Sequence, residues 1–355
     1  MTSCPISLGC DPKYSYLNSC FPLPACRNSK ENFKDNSVLI PKLDFTGDPK
    51  QAPWISEVDH IRSYAEVDKE QEKLLLRTRR DTVMTRTGGG FGATVSSTRW
   101  AKYGSFSSKL KSGSTGPGII SAFLLSDPVL GEQISFELTG ENPKKVITNY
   151  YRRVPAVDMV SKKPQDSFNA TTQPGLQHRL ESHEETHELK HDTTKHELVY
   201  KIEWNERFIR WFVGKKLLRT VQVSDIGAVG GLPENAMQLQ LTIWDAGYVA
   251  ETTDWAGEKT FHRVDNSEEY VASVSAVEIT CQDPSEGDKP WPGPEATNRL
   301  QLAQIKATTS GHGYRENKVA SIKSFFKISI LSLIKWLFVL LSLICGVAYF
   351  AEPKI

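Results

Sequence analysis

Residues 131–140 read Gly131-Glu132-Gln133-Ile134-Ser135-Phe136-Glu137-Leu138-Thr139-Gly140. A glycine stands at each end, and polar and apolar residues alternate between them. In a strand, successive side chains point to opposite faces. Gln133, Ser135 and Glu137 therefore project together from one face, as an amide, a hydroxyl and a carboxylate over one surface. In the other register Glu132 accompanies Glu137; being five residues apart, the two face opposite ways unless a bulge intervenes. By pattern alone this is an amphipathic strand with one face against a core.

Similar runs lie on both sides. Gly92–Ser97, Gly104–Lys111 and Gly118–Leu125 precede it; Glu197–Trp204, Phe208–Val213, Lys216–Val223, Met237–Trp244 and Val271–Cys281 follow. Val213-Gly214-Lys215-Lys216 reads as a hairpin. Among 355 residues there are 24 Gly and 19 Pro, which punctuate the Val-, Ile-, Thr- and aromatic-rich runs. Many short antiparallel strands at this spacing predict an all-β domain, a sandwich or a jelly roll. A charged fraction of 24% beside 39% hydrophobic residues fits a globular chain. The net charge of +1 gives no basis for nucleic-acid binding or a polybasic membrane contact. No internal repeat is evident.

The expected organisation is a Cys-rich head over 1–30, the β domain over 31–285, and a Pro/Gly/Ser/Thr-rich linker over 286–325. A transmembrane helix over 326–350 and a short tail over 351–355 complete it. Cys4, Cys10, Cys20 and Cys26 crowd the head, Cys281 ends the last strand, and Cys345 lies in the apolar segment. Four cysteines in so short a stretch read as a disulfide-stapled piece in an oxidising compartment, with free thiols or a metal knuckle as alternatives. Met1 to Cys10 has no basic and apolar leader pattern. Ile328–Phe350 carries one charge, Lys335; about 20 residues span the hydrocarbon layer, and a lysine near one end can snorkel. Lys318, Lys323 and Lys327 before the span would hold the domain in the cytoplasm. The cysteines and the sequon Asn169-Ala170-Thr171 place it outside. A glycolipid-anchor signal fits the polar ending Ala351–Ile355 poorly.

Three alternating polar positions on one strand suit sugar-cleaving chemistry. A retaining glycosidase needs two carboxyls, a nucleophile and an acid/base, converging on one scissile bond, and a carboxylate between them can adjust protonation through charge coupling. Here only Glu137 of the three is a carboxylate.

Several blocks, in order, carry a family resemblance. They are Gly9-Cys10-Asp11-Pro12, Cys20…Cys26, Val95-Ser96-Ser97-Thr98-Arg99, Tyr103-Gly104, Ile120-Ser121-Ala122-Phe123, Thr148-Asn149-Tyr150, Ile202-Glu203-Trp204, Leu239–Gly247 and Asp254-Trp255-Ala256-Gly257. Over residues 8–285 the chain resembles the fungal Crh-type members of glycoside hydrolase family 16, the cell-wall chitin–glucan transglycosylases, and within them the Utr2-like branch. Where that family has Asp-Glu-Ile-Asp-Phe-Glu, this chain has Glu132-Gln133-Ile134-Ser135-Phe136-Glu137. The resemblance makes Glu137 the acid/base, puts Gln133 at the nucleophile position and Ser135 at the helper-Asp position. It implies a concanavalin-like β-jelly-roll sandwich and a sugar cleft with Trp244 and Trp255 as aromatic contacts and Thr252 as a polar one, with Tyr150 and Arg219 as further cleft candidates. It also implies a Cys20–Cys26 disulfide. A signal peptide and a chitin-binding module, usual in that branch, are not recognised before Cys10.

One further motif competes. His183-Glu184-Glu185-Thr186-His187 fits the zincin pattern H-E-x-x-H, with His191 four residues on. A zinc helix needs an apolar face, and 176–197 has none, so a solvated loop is expected there. No metal and no cofactor are expected. The expected partners are chitin and β-glucan chains, and a membrane through the C-terminal helix. Two functions follow. The chain is a cell-wall glycan-binding or remodelling protein with impaired chemistry, or an active chitin–β-glucan transglycosylase or hydrolase, at the cell surface.

Overall fold

The structure is a computed structural model that describes residues 26–46, 48–57, 64–80, 89–127, 131–155, 178–226, 231–260 and 269–283. The segment read as membrane-spanning, the linker, Asn169 and Cys4, Cys10, Cys20 and Cys345 lie outside the described residues. Among the described residues no helix is long and apolar enough to cross a membrane.

Among the described residues, eighteen strands form two sheets. In chain order they begin β1 (Ser29–Glu31), β2 (Leu39–Pro41), β3 (Trp54–Ser56), β4 (Ala65–Asp68), β5 (Lys73–Arg80) and β6 (Gly90–Phe91). Then come β7 (Ala93–Ala101), β8 (Gly104–Lys111), β9 (Ile119–Ser126), β10 (Gln133–Thr139), β11 (Lys145–Pro155) and β12 (His178–Ser182). The last six are β13 (Glu185–Glu188), β14 (Leu198–Trp204), β15 (Phe208–Val213), β16 (Lys216–Gln222), β17 (Met237–Asp245) and β18 (Glu269–Cys281). One sheet runs β16-β15-β14-β8-β18-β5-β4, with β1 on β18 and β6 on β5. The other runs β12-β11-β10-β9-β17-β7-β3-β2, with β13 on β11. All pairings are antiparallel except β2 with β3. This is the jelly-roll sandwich that the alternation predicted.

Alternation builds the core. On β10, Ile134, Phe136 and Leu138 are buried toward the first sheet. Phe136 meets Phe123 of β9 at 6.4 Å and the Tyr200 ring of β14, from the facing sheet, at 5.3 Å. Tyr200, Ile202 and Trp204 alternate inward on β14, as do Ile209 and Trp211 on β15. Each such side chain contributes about 2–3 kcal/mol of burial. The Trp211 indole also donates to Ser135 O at 3.0 Å and so ties β10 to the opposite sheet. Gly131, which starts the quoted stretch, sits at φ +81°, where a side chain would be strained and would strike Leu180.

The disulfide differs from the expectation. Cys26 pairs with Cys281, with Cα atoms 5.9 Å apart and a sequence separation of 255. The reason is local: β1 adds to β18 in the register Ser29↔Ile279, which carries Cys26 to the end of β18. Cys26 therefore does not pair with Cys20. Asn28 accepts from Cys281 N at 2.8 Å and closes the same corner, so residues 26–31, read as the end of a separate head, are part of the sandwich.

Candidate active site

The outer face of the second sheet is polar, and pairing registers place its side chains in rows. Glu137 of β10 lies beside Ile147 of β11 and Ala122 of β9, and Ala122 lies beside Thr242 of β17. The next row holds Asn149, Ser135, Leu124 and Gln240; the one beyond holds Tyr151, Gln133, Ser126 and Gln238. Gln133, Ser135 and Glu137 thus share one face, as the sequence required. Glu132 does not join them: its carboxylate is buried and accepts from Asn235 Nδ2 at 2.8 Å.

Glu137 is the candidate acid. It is 7% exposed and accepts a 2.9 Å hydrogen bond from Ser135 Oγ. Burial pushes its carboxyl up to about 7; the Ser135 bond opposes the shift and the charge of Glu184 adds to it. A carboxyl at that value holds a proton near neutral pH and can give it to a leaving oxygen. Ser135, at the helper position, cannot supply the charge of an aspartate, but it keeps the hydrogen bond. Gln133, half-buried, presents an amide to the cleft, and its side chain makes no hydrogen bond among the described residues. An amide does not form the glycosyl ester of a retaining reaction.

Trp244 ends the polar face of β17 and stacks with Trp255, centroids 6.5 Å apart and planes 22° apart. Both pack on Ile120, Ala246 and Ala256. The loop carrying Trp255 is fixed by backbone bonds from Gly118 N to Ala256 O and from Ala246 N to Gly118 O. Gly118 is required there: it has φ +80°, and a Cβ would collide with Thr260. Asp245 braces the loop by accepting from Gly90 N, Gly247 N and Thr260 Oγ1. Thr252 lies on this loop, with its hydroxyl donating to Ala246 O at 2.8 Å, so it shapes the loop.

Two expected cleft residues point elsewhere. Tyr150 pairs with Ile134, an inward position, and is 4% exposed. It stacks on His183 at 4.6 Å and meets Trp211 on the core side. Period-two alternation gives the cleft position to its neighbour Tyr151, whose hydroxyl is held protonated by burial first and then by the charge of Glu137. Arg219 rises from β16 between the sheets. It donates to Thr148 O and His183 O at 3.0 and 2.9 Å and pairs with Glu185 at 3.1 Å.

The zincin-like stretch takes no helical form. His183 and Glu184 lie in the connection between β12 and β13, and Glu185, Thr186 and His187 in β13, where side chains four apart do not converge as on a helix. His187 Nε2 bonds Thr148 Oγ1 at 2.9 Å, and His183 is against Tyr150. Nor is the stretch a free loop. His183 N donates to Asn149 Oδ1 and to Tyr150 O, and Arg219 holds the connection from below. This placement brings Glu184 to the cleft, where it accepts from the Trp255 indole at 3.2 Å and its charge reaches Glu137. Sequence reasoning missed Glu184 and Tyr151. Tyr151 could have been found by counting from Ile134 across the hairpin; Glu184 could not, because its place depends on β12 and β13 both joining β11.

The sequence profile of Glycosyl hydrolases family 16 matches residues 54–267. The chain belongs to this family. Among relatives, it is 25% identical over 292 residues to Congo red hypersensitive protein 2 of Saccharomyces cerevisiae, covering 79% of this chain and 54% of that protein. It is 27% identical over 260 residues to Crh-like protein UTR2 of Candida albicans, covering 70% and 47%. The chain thus spans about half the length of these relatives. Of solved structures, Apo Crh5 transglycosylase superposes with TM-score 0.50 at 18% identity, over 74% of this chain and 87% of that one. Bacillus licheniformis beta-glucanase does so with TM-score 0.50 at 15% identity, over 72% and 98%. These likenesses confirm the family 16 sandwich. The resemblance drawn from the sequence blocks holds at the level of a fungal Crh-type member of family 16.

Proposed function

We propose that this family 16 cleft recognises chitin and β-glucan chains of a fungal cell wall and is impaired in the double-displacement reaction of retaining glycosidases. One observation carries the reading: on a single strand face the acid Glu137 is kept, while the nucleophile position holds Gln133 and the helper position Ser135. The Trp244–Trp255 stack supports recognition, since aromatic rings suit the apolar C–H faces of sugars and polar neighbours fix orientation. The Crh-type relatives support the substrate class, one of the similar solved structures being Crh5 transglycosylase in complex with NAG.

The account extends to location. Chitin and β-glucan lie outside the cell, and a disulfide such as Cys26–Cys281 suits an oxidising compartment. We place the sugar-binding domain at the cell surface, anchored by Ile328–Phe350, with Asn169 as a glycosylation site. Tryptophan fluorescence of the purified protein with chitin and β-1,3-glucan oligosaccharides tests the central part. Quenching that saturates is expected, and Trp244→Ala or Trp255→Ala should weaken binding by up to about tenfold, at about 0.5–1.5 kcal/mol per lost aromatic contact. No saturable binding to either glycan would refute the reading.

A further inference from the structure

The cleft keeps an acid and lacks a carboxylate at the nucleophile position, which favours a route to retained stereochemistry that needs no enzyme nucleophile. Some glycosidases have no nucleophile of their own and use the 2-acetamide of the sugar instead. Such a reaction asks three things of the protein: a protonated carboxyl over the leaving oxygen, a polar group to hold the acetamide, and no carboxylate to compete for the anomeric carbon. The cleft meets the first two, and at position 133 an amide stands in place of the competing carboxylate. Glu137 is protonated near neutral pH and hydrogen-bonded by Ser135. Gln133 stands where a nucleophile would. A nucleophile at 133 and a 2-acetamide approach the anomeric carbon from the same side, opposite the departing oxygen, so the Gln133 amide lies against the acetamide.

The neighbouring polar groups are engaged by the protein. Ser135 Oγ is held by Glu137, the Asn149 amide by Ser182 and His183 N, and the Gln238 and Gln240 amides donate to Ser97 O and Ser96 Oγ. In these rows the Gln133 amide and the hydroxyl of its neighbour Ser126 have no side-chain partner among the described residues.

We propose that the cleft processes β-linked 2-acetamido-2-deoxyglucose chains by participation of the sugar's own acetamide, with Glu137 as acid then base and Gln133 holding the acetamide. The proposal rests on the glycan reading above. In the first step the acetamide oxygen bonds to the anomeric carbon, the bond from that carbon to the bridging oxygen breaks, and the Glu137 proton goes to the departing oxygen. The ring that forms is an oxazolinium ion, whose N–H the Gln133 carbonyl oxygen accepts. In the second step the hydroxyl of water or of an acceptor sugar attacks the anomeric carbon and gives its proton to the Glu137 carboxylate. The bond to the acetamide oxygen breaks and the acetamide is restored, with the configuration retained.

The test uses the full chain in detergent with three donors of equal length: chitotetraose, cellotetraose and laminaritetraose. Binding is read by tryptophan fluorescence and cleavage by mass spectrometry of the products. The expected result is cleavage or transfer of chitotetraose only, competitive inhibition by the thiazoline analogue of N-acetylglucosamine, and a fall in kcat/KM of about 100-fold in Gln133→Ala, near the loss for one preorganised polar group at a reacting centre. Gln133→Ala should still fold and bind chitotetraose. Chitotetraose bound but uncleaved, or the glucan tetramers cleaved as fast, overturns the proposal and leaves the glycan-binding reading standing. Absence of binding to all three overturns both.

Discussion

At the scale of single residues the site turns on Glu137, and its protonation has a consequence for stability. Its carboxyl is raised in the folded protein to about 7, mainly by burial, while the unfolded chain ionises near the ordinary value of 4.5. A raised acid stabilises the fold below the unfolded value and ceases to do so as pH rises through the folded one. Stability should therefore fall between about pH 4.5 and 7, by about 3 kcal/mol at most. Glu137→Gln should remove this fall and be the more stable protein at pH 8. Urea melts of both proteins at pH 4.5 and 8 check this; parallel pH dependence in the two would refute it. His183 and His187 are both lowered by burial, so they act with the opposite sign, as pH drops below about 6.5, and they are common to both proteins.

At the scale of elements, most of the fold was legible because strand periodicity is local. The alternation in 133–139 placed Gln133, Ser135 and Glu137 on one face and Phe136 in the core without any knowledge of partners. What was not legible depended on which strands pair. Tyr150 could be assigned to a face only once β11 was set opposite β10. Cys26 could be assigned to Cys281 only once β1 was seen to extend β18. Glu184 was hidden in a stretch whose composition is that of a solvated loop, because its order comes from Arg219 in the facing sheet. That dependence gives a prediction. Arg219→Met removes the donor to Thr148 O and His183 O and leaves buried acceptors unsatisfied, at a cost of about 1–3 kcal/mol. It should also loosen the connection that presents Glu184 to Trp255, so glycan binding weakens more than stability alone explains. Calorimetric melting beside an oligosaccharide titration measures both. Unchanged binding in a folded Arg219→Met protein would refute this buttressing role.

At the scale of the whole molecule, the sandwich is pinned by one long-range bridge. Cys26–Cys281 closes a loop spanning most of the β domain, and such a loop carries up to about 5 kcal/mol of denatured-state entropy. Cys281→Ser should lower stability by about 2–5 kcal/mol, read as a shift in denaturant midpoint at constant slope. A change under about 0.5 kcal/mol, an ordinary surface-substitution effect, would mean the bridge does not form in the native protein. The central claim is that the family 16 frame and acid persist while the covalent nucleophile is gone. A fluoride-activated 2-fluoro-glucosyl oligomer, which esterifies the nucleophile of a retaining glycosidase and releases it slowly, addresses this directly. Intact-protein mass spectrometry should show no adduct on the natural chain, and one glycosyl ester at position 133 in the Gln133→Glu, Ser135→Asp double variant. A stoichiometric adduct on the natural chain would contradict the account.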